Sequence, residues 1–150
     1  MAIWRHIIFW YVLLWQIDSL NKVWVSDFGL HTIKKYASVT LDYCNKSAWS
    51  SPQVLDSRHT TANAVCTIKD DVYSFGVVLW ELLYCKEPFE GIPRQRLYQL
   101  VVEEQMRPLI VDEVGQRLAT LIKSCWNNER HKRPTFKQLA KQLARLRNFN

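Results

Sequence analysis

Residues 69–83 read KDDVYSFGVVLWELL. Val72, Phe75, Val78, Leu79, Leu82 and Leu83 recur at helical spacing, and Val77, Trp80 and Tyr84 fill the other side. Only Glu81 is charged within the apolar run, so the stretch predicts a helix apolar on nearly all sides. Such a helix belongs at the centre of a domain. Asp70 or Asp71 offers an N-cap, because a short carboxylate accepts from the free N–H groups of a first turn. Lys86 and Pro88 end it.

Downstream, three amphipathic helices are predicted. One starts after Pro93, with Leu97, Leu100 and Val101. A second runs from about Val114, with Leu118, Leu121, Ile122 and Cys125. The last follows Pro134 and aligns Phe136, Leu139, Leu143 and Leu146 on one stripe, leaving Lys137, Lys141, Arg145 and Arg147 outside it. Upstream, residues 31–63 are rich in Ser, Thr, Asn, Tyr and Lys with weak periodicity, which reads as a long loop. Before it, VWVSDFGL (23–30) reads as a buried strand that ends on an acidic residue, an aromatic and a glycine. The order is therefore strand, long loop, central helix, then three further helices.

Composition fits a globular chain of one domain or one lobe. Of 150 residues, 48% are hydrophobic and 23% charged, which argues against disorder, and seven tryptophans promise much buried aromatic area. The net charge of +6 is localised. Residues 129–150 hold seven Lys or Arg against one Glu, while the first 128 balance thirteen basic and thirteen acidic residues. The basic tail reads as the solvated face of a helix, with an acidic partner or a membrane surface as the sharper alternative. Cys44, Cys66, Cys85 and Cys125 are far apart, and Cys85 and Cys125 fall in apolar helical patterns, so reduced core thiols and a cytoplasmic setting are expected. The four histidines lack metal-ligand spacing. IIFWYVLLW (7–15) is too short to span a bilayer, and no small-x-small cleavage site follows it. No membrane or nucleic-acid partner is expected.

Four stretches, in order, resemble a eukaryotic protein kinase. VSDFGL (25–30) resembles the metal-binding segment, AWSSPQVL (48–55) the end of the activation segment, KDDVYSFGVVLWELL (69–83) the central helix, and CWNNERHKRPTF (125–136) the closing arginine-containing segment. EPFEGIP and MRPLI, between them, are similar to the tyrosine-kinase-like group, including Raf-like enzymes. The resemblance implies an α+β family fold of which this chain is mostly the α part, the helical C-terminal lobe. It divides the chain into an atypical apolar segment, 1–21, and a partial kinase domain, 22–150. The implied activity is transfer of phosphate from ATP to Ser, Thr or Tyr of a protein substrate, with Mg²⁺ as cofactor.

The resemblance also assigns roles. Asp27 matches the aspartate that ligates Mg²⁺, a hard cation that prefers oxygen. Phe28 packs beneath such a site and Gly29 lets the backbone swing. Trp49, Pro52 and Gln53 match the end of the activation segment, where Ala-Pro-Glu is usual, and Lys46 stands where a Thr is usual. Asp71 matches the aspartate that braces the catalytic loop, and Arg133 the arginine that pairs with the missing glutamate. With Gln53 in that place the charge pairing is lost although a hydrogen bond to guanidinium is retained, and Gln53→Glu is expected to raise the melting temperature. Tyr36, Ser38, Thr40 and Tyr43 are candidate phosphorylation sites, in a region whose composition is also that of an ordinary loop.

The pattern fails upstream. The family's H-R-D-x-x-x-x-N loop falls on WRHIIFWY, placing His6 at the aspartate position and Tyr11 at the asparagine position. Asp18 is the one acidic residue among the first twenty, and it lies too near Asp27 to serve. The glycine-rich loop, the V-A-I-K lysine and its glutamate have no room in 26 residues. Losing the general base alone costs about 10²–10⁴-fold in rate. The chain as written is therefore expected to be inactive, with no catalytic residue assigned. It reads as a partial kinase domain, with a pseudokinase-type binding module or a gene-model fragment as alternatives. The helix that would cover the central helix lacks a counterpart unless the apolar N-terminal segment folds back to supply one.

Overall fold

The computed structural model describes residues 15–17, 23–25, 47–59, 67–111 and 115–147. The chain divides into two compact units, Met1–Cys44 and Asn45–Asn150. In the first, β1 (Trp15–Ile17) pairs antiparallel with β2 (Val23–Val25), in the register Trp15 to Val25, Gln16 to Trp24 and Ile17 to Val23. The strand expected at VWV is present. Of the apolar run 7–15, all but Trp15 lies outside the described residues.

The second unit is helical among its described residues. It holds α1 (Pro52–His59), α2 (Ile68–Tyr84), α3 (Arg94–Tyr98), α4 (Gln116–Cys125) and α5 (Phe136–Arg147). One wider turn, Gln99–Glu103, continues α3 and buries Leu100 and Val101. Short 3₁₀ turns lie at Ser47–Trp49 and Arg130–Lys132. The three helices expected after Pro93, near Val114 and after Pro134 are all found.

The start of α2 corrects the expected cap. The helix begins earlier than Asp70 or Asp71, on Thr67, whose extended backbone (φ −122°, ψ 161°) marks the N-cap. Asp70 sits in the first turn and reaches back to the Thr67 N–H at 2.8 Å and to its hydroxyl at 2.9 Å. The carboxylate still satisfies an orphan donor, from inside the helix rather than from its edge. At the other end Cys85 adopts the left-handed conformation (φ 50°), and its N–H donates to the Glu81 carbonyl at 2.8 Å. That cap turns Cys85 out to solvent, so it is not the core thiol expected. Cys125 is fully buried, and burial pushes its thiol up to about 11.

The loop expected over 31–63 is corrected at its end, because Ser47–His59 is ordered into a 3₁₀ turn and α1. Ser51 caps α1: its carbonyl accepts from the N–H groups of Val54 and Leu55, and its hydroxyl from that of Val54. Pro52 suits the first helical position, where no N–H is needed.

The core forms where α2, α4 and α5 meet. Val72, Leu121, Cys125 and Leu139 are buried together, with Phe75, Leu79, Leu143 and Leu146 packed around them. Gly76 permits the close crossing of α2 and α4, since a Cβ there would lie 2.5 Å from the Cβ of Cys125. Phe75 meets Phe136 edge-on, with centroids 5.9 Å apart. The expectation that α2 is covered on nearly all sides is corrected in part. Val72, Tyr73, Gly76, Val77 and Trp80 are buried, yet Leu82 and Leu83 are 44% and 42% exposed. A run apolar all round predicts burial all round only when every face meets a neighbour.

Candidate functional site

Residues 49–51 are fastened to α2 at three levels. Trp49 Nε1 donates to Glu81 Oε2 at 2.8 Å, the Ser74 hydroxyl donates to the Trp49 carbonyl at 2.8 Å, and the Ser51 hydroxyl donates to Asp70 Oδ1 at 2.6 Å. Ser74, Glu81 and Asp70 all lie on α2, so one rigid helix sets the height of the whole segment. Burial pushes the Glu81 carboxyl above its ordinary range, the Trp49 indole pulls it back, and Glu87 adds to the rise.

Arg133 lies behind this strap, with 1% of its surface exposed. Its Nη2 donates to Gln53 Oε1 at 2.6 Å, its Nη1 to the Lys69 carbonyl at 3.0 Å, and its Nε to the Asn127 carbonyl at 2.8 Å. Nη1 also lies 3.3 Å from Asp70 Oδ1. The guanidinium thus meets the neutral amide of Gln53 and takes its anion from Asp70. Gln53 uses both ends of its amide, because Nε2 donates to the Asn128 carbonyl at 2.5 Å.

Asp70 is the hub. Besides Ser51, Thr67 and Arg133 it receives Arg130, with Nε at 2.9 Å and Nη2 at 2.9 Å. Burial alone pushes its carboxyl up, and the bonds from Ser51, Thr67 and Arg130 outweigh that and hold it below its ordinary value. Asp71, the neighbour singled out from the sequence, is exposed and makes no hydrogen bond among the described residues. Partial burial and the charge of Asp70 raise its carboxyl.

Tyr73 forms the floor of the cluster. It is fully buried between two guanidiniums, Arg107 at 5.2 Å and Arg133 at 5.1 Å from its ring centroid. Its hydroxyl has no protein partner among the described residues, and burial pushes it up to about 12 against the pull of both arginines. Arg107 is spent on carbonyls, donating to Trp126 at 3.2 Å and to Val101 at 3.1 Å. Residues 106–111 are strapped to α2 through Trp80 Nε1, which donates to the Leu109 carbonyl at 2.8 Å, and through Tyr84, whose hydroxyl accepts the Val111 N–H at 2.9 Å.

Of the residues singled out from sequence, Trp49, Pro52, Gln53 and Arg133 come together here, and Asp71 stands at the edge. Asp27, Phe28, Gly29, Tyr36, Ser38, Thr40 and Tyr43 lie outside the described residues. Sequence reasoning missed Ser51, Tyr73, Arg107 and Arg130, and it saw Asp70 only as a cap. The available signal was local: two adjacent carboxylates with Tyr73 two residues on, and the run Arg130-His131-Lys132-Arg133. Nothing in spacing alone says that residues 53, 70 and 133 converge.

The geometry is that of a helical platform carrying a fastened loop end, which is a structural site rather than a reacting one. The chain belongs to the protein tyrosine and serine/threonine kinase family, whose sequence profile matches residues 7–143. Three Dictyostelium discoideum proteins are similar to it. "Probable serine/threonine-protein kinase drkB" is 38% identical over 122 residues, 81% of this chain and 17% of that protein. "Probable serine/threonine-protein kinase drkA" is 36% identical over 85% of this chain and 19% of its own length, and the corresponding drkC protein 32% over 85% and 17%. The chain therefore spans less than a fifth of the length of these relatives. Kinases of this family act on protein substrates with ATP and a divalent metal. Among the described residues no group of three or more His, Cys, Asp or Glu could hold a metal ion, and Asp27 lies outside them.

Proposed function

We propose that residues 22–150 form the C-terminal-lobe part of a serine/threonine kinase domain of the tyrosine-kinase-like, Raf-like group, acting in the cytoplasm. In this reading Asp27 is the ligand for Mg²⁺, and Tyr36, Ser38, Thr40 and Tyr43 lie on the activation segment, where phosphorylation would act. The observation that supports it is the fastening of Gln53 and Ser51, through Arg133 and Asp70, to the base of α2. That junction fixes the end of a segment whose task is to present a protein substrate, and it serves no purpose in a loop of no function. Alone, these 150 residues transfer no phosphate, because His6 and Tyr11 stand where the base and the second metal ligand belong. A chimera decides the matter. Residues 22–147 placed after the upstream kinase half of drkB are expected to phosphorylate a generic acceptor protein, and Asp27→Asn is expected to abolish the transfer. The isolated chain is expected to incorporate no labelled phosphate and to show no thermal shift with Mg-ATP. An inactive but folded chimera would sink the reading and favour a binding module instead.

A further inference from the structure

Helix α5 reads FKQLAKQLARLR and contains no acidic residue. Lys137, Lys141 and Arg145 are exposed, and among the described residues none makes an ion pair or hydrogen bond. Spaced by four, they rotate by about 40° per step and fall within an arc of about 80°, along roughly 12 Å of helix. Leu139, Leu143 and Leu146 face the core on the opposite side, so packing holds the three cations outward. Like charges at this spacing destabilise a helix by about 0.2–0.5 kcal/mol per pair, and no acidic residue on α5 offsets them.

We infer that this face is a docking surface for an acidic helix of a protein partner, one with carboxylates every four residues. The match is geometric as well as electrostatic, since a helix with that repeat rises about 6 Å between charges, as α5 does. Between the cations the exposed residues are Gln138, Ala140, Gln142 and Ala144, while Phe136, 41% exposed beside Lys137, is turned away from the cations against Phe75 of the core. The glutamines can donate hydrogen bonds and the alanines admit a close neighbour, and no large apolar side chain stands between the cations to enter a lipid surface.

The probe is a helical peptide with Glu at every fourth position, titrated against the full chain by fluorescence anisotropy. Saturable binding is expected that weakens steeply between about 0.05 and 0.5 M salt. The variant Lys137→Gln/Lys141→Gln/Arg145→Gln should bind about tenfold or more weakly, with its melting temperature unchanged or raised. No binding by the native chain would overturn the inference, as would equal binding by the triple variant. Binding to phosphatidylserine vesicles but not to the peptide would overturn it too, and would give the face to a membrane.

Discussion

Gln53 meets Arg133 with a neutral amide, and the arginine takes its anion from Asp70 instead. Asp70 neutralises Arg133 and Arg130 together, while Gln53 spends its amide nitrogen on the Asn128 carbonyl. This geometry shrinks the gain expected from Gln53→Glu, because a carboxylate oxygen would replace a donor 2.5 Å from a carbonyl. The melting temperature should move by less than about 4 °C, whereas Asp70→Asn, which strips two arginines of their counter-ion, should cost about 3 kcal/mol and lower it by roughly 10 °C. In a Gln53→Glu background the Asp70→Asn loss should shrink by about 1–2 kcal/mol, since the new carboxylate can take over Arg133. Additive losses by thermal denaturation would show that the two positions do not share the arginine. Tyr73 supports a separate prediction. Its hydroxyl ionises near 10 in the unfolded chain and at about 12 when folded, so stability should fall as pH rises between those values. Tyr73→Phe should flatten that alkaline limb and cost little stability at neutral pH, because it removes a buried hydroxyl without a protein partner. A loss above about 2 kcal/mol would mean the hydroxyl is bonded.

Helix α2 was legible in the sequence because its apolar period runs over many residues, and what the period could not report is how closely each neighbour approaches. Gly76 sits where α4 crosses, with the Cys125 Cβ in the way of any side chain. Gly76→Ala should destabilise by about 1–2 kcal/mol in chemical denaturation, since overpacking outweighs the better helix propensity of alanine. Cys125→Ala keeps the offending Cβ and should give no relief when combined with it. A stabilised Gly76→Ala would mean that α2 and α4 separate at no cost. The expected helices after Pro93, near Val114 and after Pro134 are present for the same reason as α2. Helix α1 was illegible because only Val54 and Leu55, adjacent in sequence, are its buried aliphatic residues, and two neighbours define no period. Its signal was instead the pair Ser51-Pro52, a cap followed by a residue suited to the first turn. The cap of α2 was misplaced by three residues because Thr67 and Asp70 share the task, and a carboxylate inside the first turn looks in sequence like one at its edge.

Across the whole chain the family was legible from four ordered motifs, while the site on which the last three converge needed coordinates, since residues 53, 70 and 133 are far apart in sequence. The convergence has a consequence that no single motif carries, in the response of the folded chain to acid. Glu81 and Asp70 titrate in opposite senses, and Asp71 adds to the sense of Glu81. Burial holds Glu81 protonated above its ordinary value of 4.5, so its ionisation weighs against folding at neutral pH, and stability should rise as the pH falls through its folded value toward 4.5. Asp70 is held below its ordinary value of 3.8, so its contribution is complete above that pH and is lost as the pH falls through the lower folded value. The melting temperature, followed by circular dichroism, should therefore reach a maximum in mildly acidic solution and drop below about pH 3.8. Glu81→Gln, which keeps an acceptor for the Trp49 indole, should reduce the rise to the part that Asp71 contributes and leave the drop. Asp70→Asn should do the reverse, starting from a lower melting temperature and losing less of it in acid. If both variants kept the native profile, the acid response would arise elsewhere, and the Asp70 hub would not be what ties the fastened segment to the helical platform.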